Sequence, residues 1–272
     1  MKLSVVHETH YKYSSPVPLS HQLLHLTPRE LPWQKSIAHR LMVEPGPAEF
    51  EERDDYFGNR TARVLLATPH DGLLVRAESE VDVLPRAQAA RLDLAPAEFA
   101  YESPYVETWR ELADYAVKSF PAGRPPLEAA LDLMRRIHKD FRFDRTATSV
   151  STPLRQVMRQ KSGVCQDFAH LMIGCARAVG LPARYVSGYI LTKPPPGRPR
   201  LVGTDASHAW VSIHLDDQGW VDLDPTNDVV VDDEHVTLAW GRDFGDVTPM
   251  RGVILGGGEQ QLEVRVTVTP LG

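Results

Sequence analysis

Hydrophobic and polar residues alternate along the first 86 residues of the chain. The alternating runs, such as KLSVVHETHYKY and LLVRAESEVDVLP, end at Pro, Gly, Asn or Asp, which is typical of strands that bury one face. FGN at 57–59 marks a hairpin turn, because Gly and Asn tolerate positive φ. The pattern predicts an N-terminal β-sandwich-like domain over residues 1–86.

The pattern changes after this domain. Residues 87–100 are rich in Ala and Pro with little alternation, and we interpret them as a linker. Helical periodicity then begins within residues 101–272, which we expect to form the core of an α+β protein. SPYVETWRELADYAVKSF predicts a helix with Ser103 as N-cap and Pro104 at its first position, and PPLEAALDLMRRIHKDF predicts a second helix.

A third helix is predicted to begin at or near Cys165, in the stretch GVCQDFAHL. Cys175 belongs to its apolar stripe and is interpreted as a buried structural residue. Cys165 lies outside the stripe, where the unpaired N–H groups and the dipole of a helix N-terminus favour a thiolate and could hold an oxyanion. Gly163 is expected to leave room there for a substrate. Cys165 is therefore a candidate nucleophile, and a half-buried structural cysteine is the alternative.

A thiolate nucleophile needs an imidazole partner, and the chain has 11 histidines. DASHAWV places His208 at the start of a predicted strand, after small residues that leave it accessible. His214 lies further along the same face of that strand, and His170 lies within the cysteine helix. We expect His208 to be the base, because its neighbours are arranged around it.

A base needs an orienting carboxylate. LDDQGW predicts a hairpin that returns the chain antiparallel through WVDLDPTND, with Asp222 and Asp224 on one face of the returning strand. Strand parity does not choose between the two. Asp224 is slightly favoured because it precedes Pro225, where the strand ends and a side chain can face a cleft.

Together, GVCQDFAHL, GLPARYVSGY, DASHAWV and GWVDLDPTN resemble the motifs of the transglutaminase-like superfamily, and of its bacterial branch in particular. The resemblance implies that Cys165 is the nucleophile, His208 the general base and acid, and Asp224 the residue that orients the imidazole. It also implies a papain-like transglutaminase core, in which the cysteine helix packs on an antiparallel sheet. No cofactor or metal is expected, because VDDEH at 231–235 lacks the ligand spacing of a calcium loop and is interpreted as a solvated turn.

The activity implied is cysteine-dependent acyl transfer, or hydrolysis, at amide bonds of peptides or proteins through a thioester. One alternative is a cysteine protease or amidase that uses only water as the acceptor. Another is a non-catalytic binding module of the same fold. A competent residue at all three triad positions favours an enzyme.

Net charge and hydropathy indicate which kinds of partner and which cellular location to expect. The net charge of −6 over 272 residues argues against a general nucleic-acid binder. No run has the roughly 18 apolar residues of a membrane span, and no secretory pattern is visible, so we expect a cytoplasmic protein without a membrane partner. The proline-rich stretch 192–205 predicts a loop beside the site, with a basic rim formed by Lys193, Arg198 and Arg200 that would attract anionic substrates.

Overall fold

The computed structural model describes residues 1–86, 96–192, 207–216 and 218–272. Linker residues 87–95 and the predicted basic rim at 193–205 lie outside the described residues. The helices are α1 Arg110–Ala116, α2 Pro126–Asp140, α3 Leu154–Gln160, α4 Cys165–Ala178 and α5 Phe244–Val247. The strands of the first part are β1 Lys2–Val17, β2 Leu19–Leu24, β3 Gln34–Glu44, β4 Glu49–Asp54, β5 Arg60–Leu66 and β6 His70–Val83. The later strands are β7 Arg142–Phe143, β8 Ser162–Gly163, β9 Ala183–Ile190, β10 Ser207–Leu215, β11 Gly219–Asp224, β12 Val229–Val230, β13 His235–Gly241, β14 Met250–Leu255 and β15 Gln260–Leu271.

Two four-stranded antiparallel sheets form the β domain, with strand orders β15-β1-β6-β3 and β14-β2-β5-β4. Alternate residues of β1 and β6 are buried, as the period-two pattern predicts. The buried side chains between the sheets come from both of them and are Tyr13, Val17, Leu24, Leu26, Ala62, Val64, Leu66, Leu73, Val75 and Ala77. The expected turn at 57–59 joins β4 to β5, with Gly58 at a φ of 70°.

The C-terminal strands belong to this β domain and not to the core in which the sequence analysis placed them. β15 pairs with β1 from Lys2–Leu271 to Tyr13–Gln260, and β14 pairs with β2. Each C-terminal strand extends one of the two sheets and covers an edge that would otherwise expose unpaired backbone groups. The core therefore ends before residue 250, and the chain returns to the β domain.

The core contains a five-stranded sheet with the order β12-β11-β10-β9-β13. Helix α4 packs against β10 and β9, and α1, α2 and α3 pack against α4. Cys175 is fully buried in α4, as its place on the apolar stripe predicts. The expected arrangement, an α+β core in which the cysteine helix lies on an antiparallel sheet, is confirmed.

The first core helix begins later than the sequence indicates. Helix α1 starts at Arg110, after an extended Trp109, whereas Ser103 lies in a turn and exchanges backbone hydrogen bonds with Val106. Here side-chain carboxylates accept hydrogen bonds from backbone N–H groups that a helix would pair with backbone carbonyls. The Tyr105 N–H donates to Asp243 and the Thr108 N–H to Glu102. These bonds hold the segment in a non-helical path.

The β domain and the core share one hydrophobic interior. One end of the β1 sheet contributes Leu3, Val5, Val81, Val83, Val266 and Val268 to the cluster that contains the α4 side chains. The two parts are therefore packed against each other through one continuous apolar cluster. Within the described ranges, no helix combines the length and the apolar character that crossing a membrane requires.

Candidate active site

Cys165 is the first residue of α4 and is half-buried. The chain enters the helix through Val164 in an extended conformation, and the Val164 N–H donates to Asp167 Oδ2 at 2.8 Å. The Thr148 hydroxyl donates to the same oxygen at 2.6 Å. The Asp167 carboxylate thus accepts a hydrogen bond from a backbone N–H group at the helix start. It thereby fixes the backbone at the point where the Cys165 side chain projects from the helix.

The glycine before this helix serves the cap and not a substrate. A Cβ added to Gly163 would lie 2.5 Å from Asp167 Oδ2 and 2.8 Å from its Cβ. The space that the sequence analysis assigned to a substrate is therefore filled by the Asp167 side chain. Burial of this carboxyl raises its pKa, against the hydrogen bonds from Thr148 and Val164.

His208 connects the cysteine to a carboxylate. It lies near the start of β10, is 8% exposed, and its Nε2 is 2.7 Å from Asp224 Oδ2. Cys165 lies close enough to His208 to contribute to the raised pKa of its imidazole. The imidazole is thus placed between the thiol of Cys165 and the Asp224 carboxylate, to which it is hydrogen-bonded.

Asp224 is held by its own turn. Its Oδ1 accepts the backbone N–H groups of Thr226 at 2.9 Å and Asn227 at 3.2 Å. Its Oδ2 accepts from His208 and from the Asn227 side chain at 2.7 Å. Full burial would raise the pKa of Asp224, but hydrogen bonds led by those from His208 and His235 hold it well below its usual range. Asp224 is therefore a fixed carboxylate.

The charge state of His208 follows from these neighbours. Burial disfavours the imidazolium, but the hydrogen bonds to Asp224 and Cys165 and the charges of both outweigh burial, and they raise the pKa of His208 to about 10. The ring is consequently protonated at neutral pH. A protonated imidazole beside a cysteine is the partner that stabilises a thiolate.

Asp222 has different partners from Asp224. Its Oδ2 accepts from the Trp210 indole N–H at 3.1 Å and from the Arg86 guanidinium. Strand parity left both aspartates open, since both face the same side of β11. Of the two, Asp224 is the carboxylate that contacts His208.

The other histidines considered from the sequence lie elsewhere. His170 is buried inside α4, accepts the Phe244 N–H at 3.1 Å and stacks on Tyr105. Burial lowers the pKa of His170 to about 4. The His214 ring packs against Trp220 at the far end of β10. Neither ring contacts the Asp224 carboxylate in the described hydrogen bonds, as that of His208 does.

A histidine that the sequence analysis missed lies beside Asp224. The Nε2 of His235 is 3.4 Å from Asp224 Oδ2, and the residue is 4% exposed. The stretch VDDEH was interpreted as a solvated turn, but only its middle residues face solvent, since Val231 is also buried. A signal was present: His235 opens a strand in EHVTLAW as His208 does in SHAWVSIHL.

The potential ligand atoms of His208, Asp224 and His235 lie within 4.8 Å of one another, which is close enough for a metal site. Two ligands of a tetrahedral zinc ion, each about 2.0–2.1 Å from the metal, are separated by roughly 3.3 Å. The 2.7 Å between His208 and Asp224 is the spacing of a charge-assisted hydrogen bond. We therefore interpret the group as a hydrogen-bonded network.

Two models of known protein families match the chain. Residues 3–82 match the family model of the bacterial transglutaminase-like N-terminal region, and residues 112–225 match that of the transglutaminase-like superfamily. The chain belongs to the transglutaminase-like superfamily and has the bacterial N-terminal region ahead of its core.

Relatives of known sequence or structure extend this result. An uncharacterized protein of Mycobacterium tuberculosis is 39% identical over 288 residues, covering 98% of this chain and 92% of its own length. A protein-glutamine gamma-glutamyltransferase of Pseudomonas aeruginosa is 41% identical over 123 residues, which is 44% of this chain and 18% of that protein. The crystal structure of a "Putative Cysteine Protease" from Cytophaga hutchinsonii has a TM-score of 0.80 at 22% identity, covering 100% of this chain and 91% of that chain. That likeness establishes the fold of the whole chain.

Proposed function

We propose that this chain is a cysteine-dependent enzyme that cleaves amide bonds of peptides or proteins by acyl transfer through a thioester on Cys165. The observation that carries the proposal is the His208 imidazole, which lies beside Cys165 and is hydrogen-bonded to the buried Asp224 carboxylate at 2.7 Å. A structural cysteine would not require a protonated imidazole beside it, nor a buried carboxylate behind that imidazole.

In the first half of the reaction, the Cys165 thiolate attacks the amide carbonyl. The N–H groups of Cys165 and Gln166 precede the first backbone hydrogen bond of α-helical type in this helix, which Phe168 donates to Val164, and we expect them to donate to the oxygen on which charge develops. The C–N bond then breaks as the His208 imidazolium gives its proton to the leaving amine. The products of this half are an amine and a thioester.

In the second half, an acceptor attacks the thioester while His208 takes its proton, and the C–S bond breaks to restore the thiolate. Asp224 keeps the imidazole oriented and stabilises its charge throughout. Water as the acceptor gives proteolysis or deamidation, and a primary amine gives cross-linking. The similarity to a protein-glutamine gamma-glutamyltransferase supports glutamine side chains as acyl donors.

The test is mass spectrometry of a peptide library incubated with the wild type, Cys165→Ala and Cys175→Ala, with and without a primary amine. We expect cleaved, deamidated or amine-modified peptides with the wild type and with Cys175→Ala, and none with Cys165→Ala. The type of product identifies the acceptor. An absence of Cys165-dependent products would contradict the proposal and favour a binding module.

A further inference from the structure

His235 is a buried residue beside Asp224 that the proposed mechanism does not use. Its Nε2 is 3.4 Å from Asp224 Oδ2, the same oxygen that accepts from His208. Because that oxygen is an acceptor, Nε2 of His235 carries the hydrogen. Its Nδ1 is buried and has no hydrogen-bond partner in the part of the chain that the structure describes. Among the described residues, the hydrogen-bonding contact of the His235 side chain is therefore the one with Asp224.

A glycine in β9 allows the side chain of His235, which lies in β13, to approach that of His208, which lies two strands away in β10. Gly188 in β9 lies between His208 in β10 and Thr237 in β13. A Cβ at this position would lie 2.5 Å from the Trp210 ring. The indole therefore extends across the glycine and meets the His235 ring edge to face, with centroids 5.3 Å apart. Trp210 and Gly188 together shape the place in which His235 lies.

The strand that carries His235 is an edge strand, and the β domain closes that edge. Gln34 Nε2 donates to the Thr237 carbonyl at 2.8 Å, and the Thr237 N–H donates to Gln34 Oε1 at 2.7 Å. Asn59 Nδ2 donates to the Trp240 carbonyl at 2.9 Å, and the Trp240 N–H donates to Asn59 Oδ1 at 2.9 Å. Each side-chain amide thus bonds to both backbone groups of one β13 residue, as a neighbouring strand would.

Both amides are almost completely buried: Gln34 is 1% exposed and Asn59 is 0% exposed. Each belongs to the β domain, whereas Thr237 and Trp240 belong to the core sheet. A buried amide left without its partners is destabilising, because it has lost water and gained no hydrogen bond, so β13 has little freedom to shift along this edge. The position of His235 is therefore set from the β domain.

We propose that His235 is a positioning residue that holds the Asp224 carboxylate against His208, and that the β domain places it there through the Gln34–Thr237 and Asn59–Trp240 contacts. The inference rests on the proposed function, since it concerns the same triad. Without His235, Asp224 Oδ2 loses one of three donors and a wall of its pocket, and the carboxylate gains freedom to turn from the imidazole. A poorly held imidazole then stabilises the Cys165 thiolate less well.

The test needs no knowledge of the substrate. The rate of Cys165 alkylation by iodoacetamide at pH 6 is measured for the full-length wild type, His235→Phe and His235→Gln. Phe keeps the ring volume without the donor, and Gln replaces the donor near the position of Nε2. We expect His235→Phe to slow alkylation by about tenfold or more, and His235→Gln to remain within about threefold of the wild type. The N–H proton resonance of His208 should move upfield in His235→Phe only.

Two outcomes overturn the inference. Equal alkylation rates in all three proteins would show that His235 does not support the triad. Equal slowing by Phe and Gln, in parallel with a fall in melting temperature, would show a packing role only. If the proposed function itself is wrong, the result for the wild type differs: Cys165 of the wild-type protein would be alkylated at pH 6 no faster than an ordinary thiol.

A double-mutant cycle tests the link to the β domain. Gln34→Met removes the hydrogen bonds to Thr237 at similar volume, and Gln22→Met is the control, because Gln22 is a buried amide of the same domain that bonds to Ser20 instead. We expect Gln34→Met to slow alkylation several-fold and to cause no further slowing in the His235→Phe background. Additive effects, or equal slowing by Gln22→Met, would contradict the link.

Discussion

The Trp210 indole N–H donates to Asp222 Oδ2 at 3.1 Å, two residues before the aspartate that contacts His208. Two carboxylates on one face of β11 thus have separate tasks. Asp222 is tied to an indole and to the Arg86 guanidinium, whereas Asp224 is tied to an imidazole. Substitution of each should therefore affect a different property of the protein.

Asp224→Asn should impair turnover without unfolding the protein. Asn retains an oxygen for the Thr226 and Asn227 N–H groups, but it cannot stabilise the imidazolium of His208. Turnover of a peptide identified as a Cys165-dependent substrate should fall by roughly three to four orders of magnitude. Steady-state kinetics measures this fall, and circular dichroism checks that the fold is intact.

Asp222→Asn is the matched substitution and should act on stability. Its carboxylate lies beside Arg86 and favours the charged form of Arg184, whose pKa is lowered to about 9 chiefly by burial. Neutralising one partner in such a buried set of charges lowers the free energy of unfolding by about 3 kcal/mol, which urea denaturation would detect. A larger loss of turnover in Asp222→Asn than in Asp224→Asn, with both folded, would contradict the assignment.

The two cysteines should differ sharply in their reactivity. Cys165 is half-buried beside His208, whereas Cys175 is 0% exposed and burial raises its pKa. Alkylation of Cys175 requires local opening of α4, and an opening that costs about 3 kcal/mol slows labelling roughly a hundredfold. Iodoacetamide at pH 6 to 7, followed by peptide mapping, should modify Cys165 first.

Denaturant provides the control for this measurement. In urea, both cysteines should react at similar rates, because the fold that separates them is lost. Faster labelling of Cys175 in the native protein, or equal native rates, would remove the ground for treating Cys165 as the nucleophile.

Local patterns were sufficient for the elements that carry the triad. Helical spacing located α4, and the turn residues around Gly219 located the hairpin that brings Asp224 back to His208. The choice of Asp224 over Asp222 could not come from alternation, because residues two apart share a face of a strand. The position before Pro225 gave Asp224 a slight preference, the resemblance to the family made the choice, and the contact in the structure agrees with it independently.

Long-range pairing accounts for what the sequence did not reveal. Lys2 pairs with Leu271, and no local pattern indicates which sheet a C-terminal strand joins. His235 was missed for the same reason: its burial depends on β13 lying against β9 at Gly188, and its acidic neighbours suggest a surface turn when considered alone.

The free energy of unfolding should fall in mild acid because of His7, a buried histidine outside the candidate active site. His7 is 2% exposed between Tyr189 Oη at 2.9 Å and Thr9 Oγ1 at 3.0 Å, and burial lowers its pKa to about 4. The unfolded chain binds a proton at this residue near pH 6.5, whereas the folded chain does not. The stability from neutral His7 is therefore complete above about pH 6.5 and is lost as the pH falls towards 4.

His7→Asn isolates this contribution. Asn is not titratable here but keeps a polar group near Tyr189, and His170, whose pKa burial also lowers, titrates in both proteins and cancels in the difference. Urea denaturation at pH 7 should show the wild type to be the more stable protein. Between pH 7 and pH 5 that advantage should shrink by about 2 kcal/mol, because only the wild type binds the extra proton on unfolding. Parallel stability curves over this range would show that His7 binds its proton at the same pH in the folded and the unfolded chain, and they would contradict the lowered pKa.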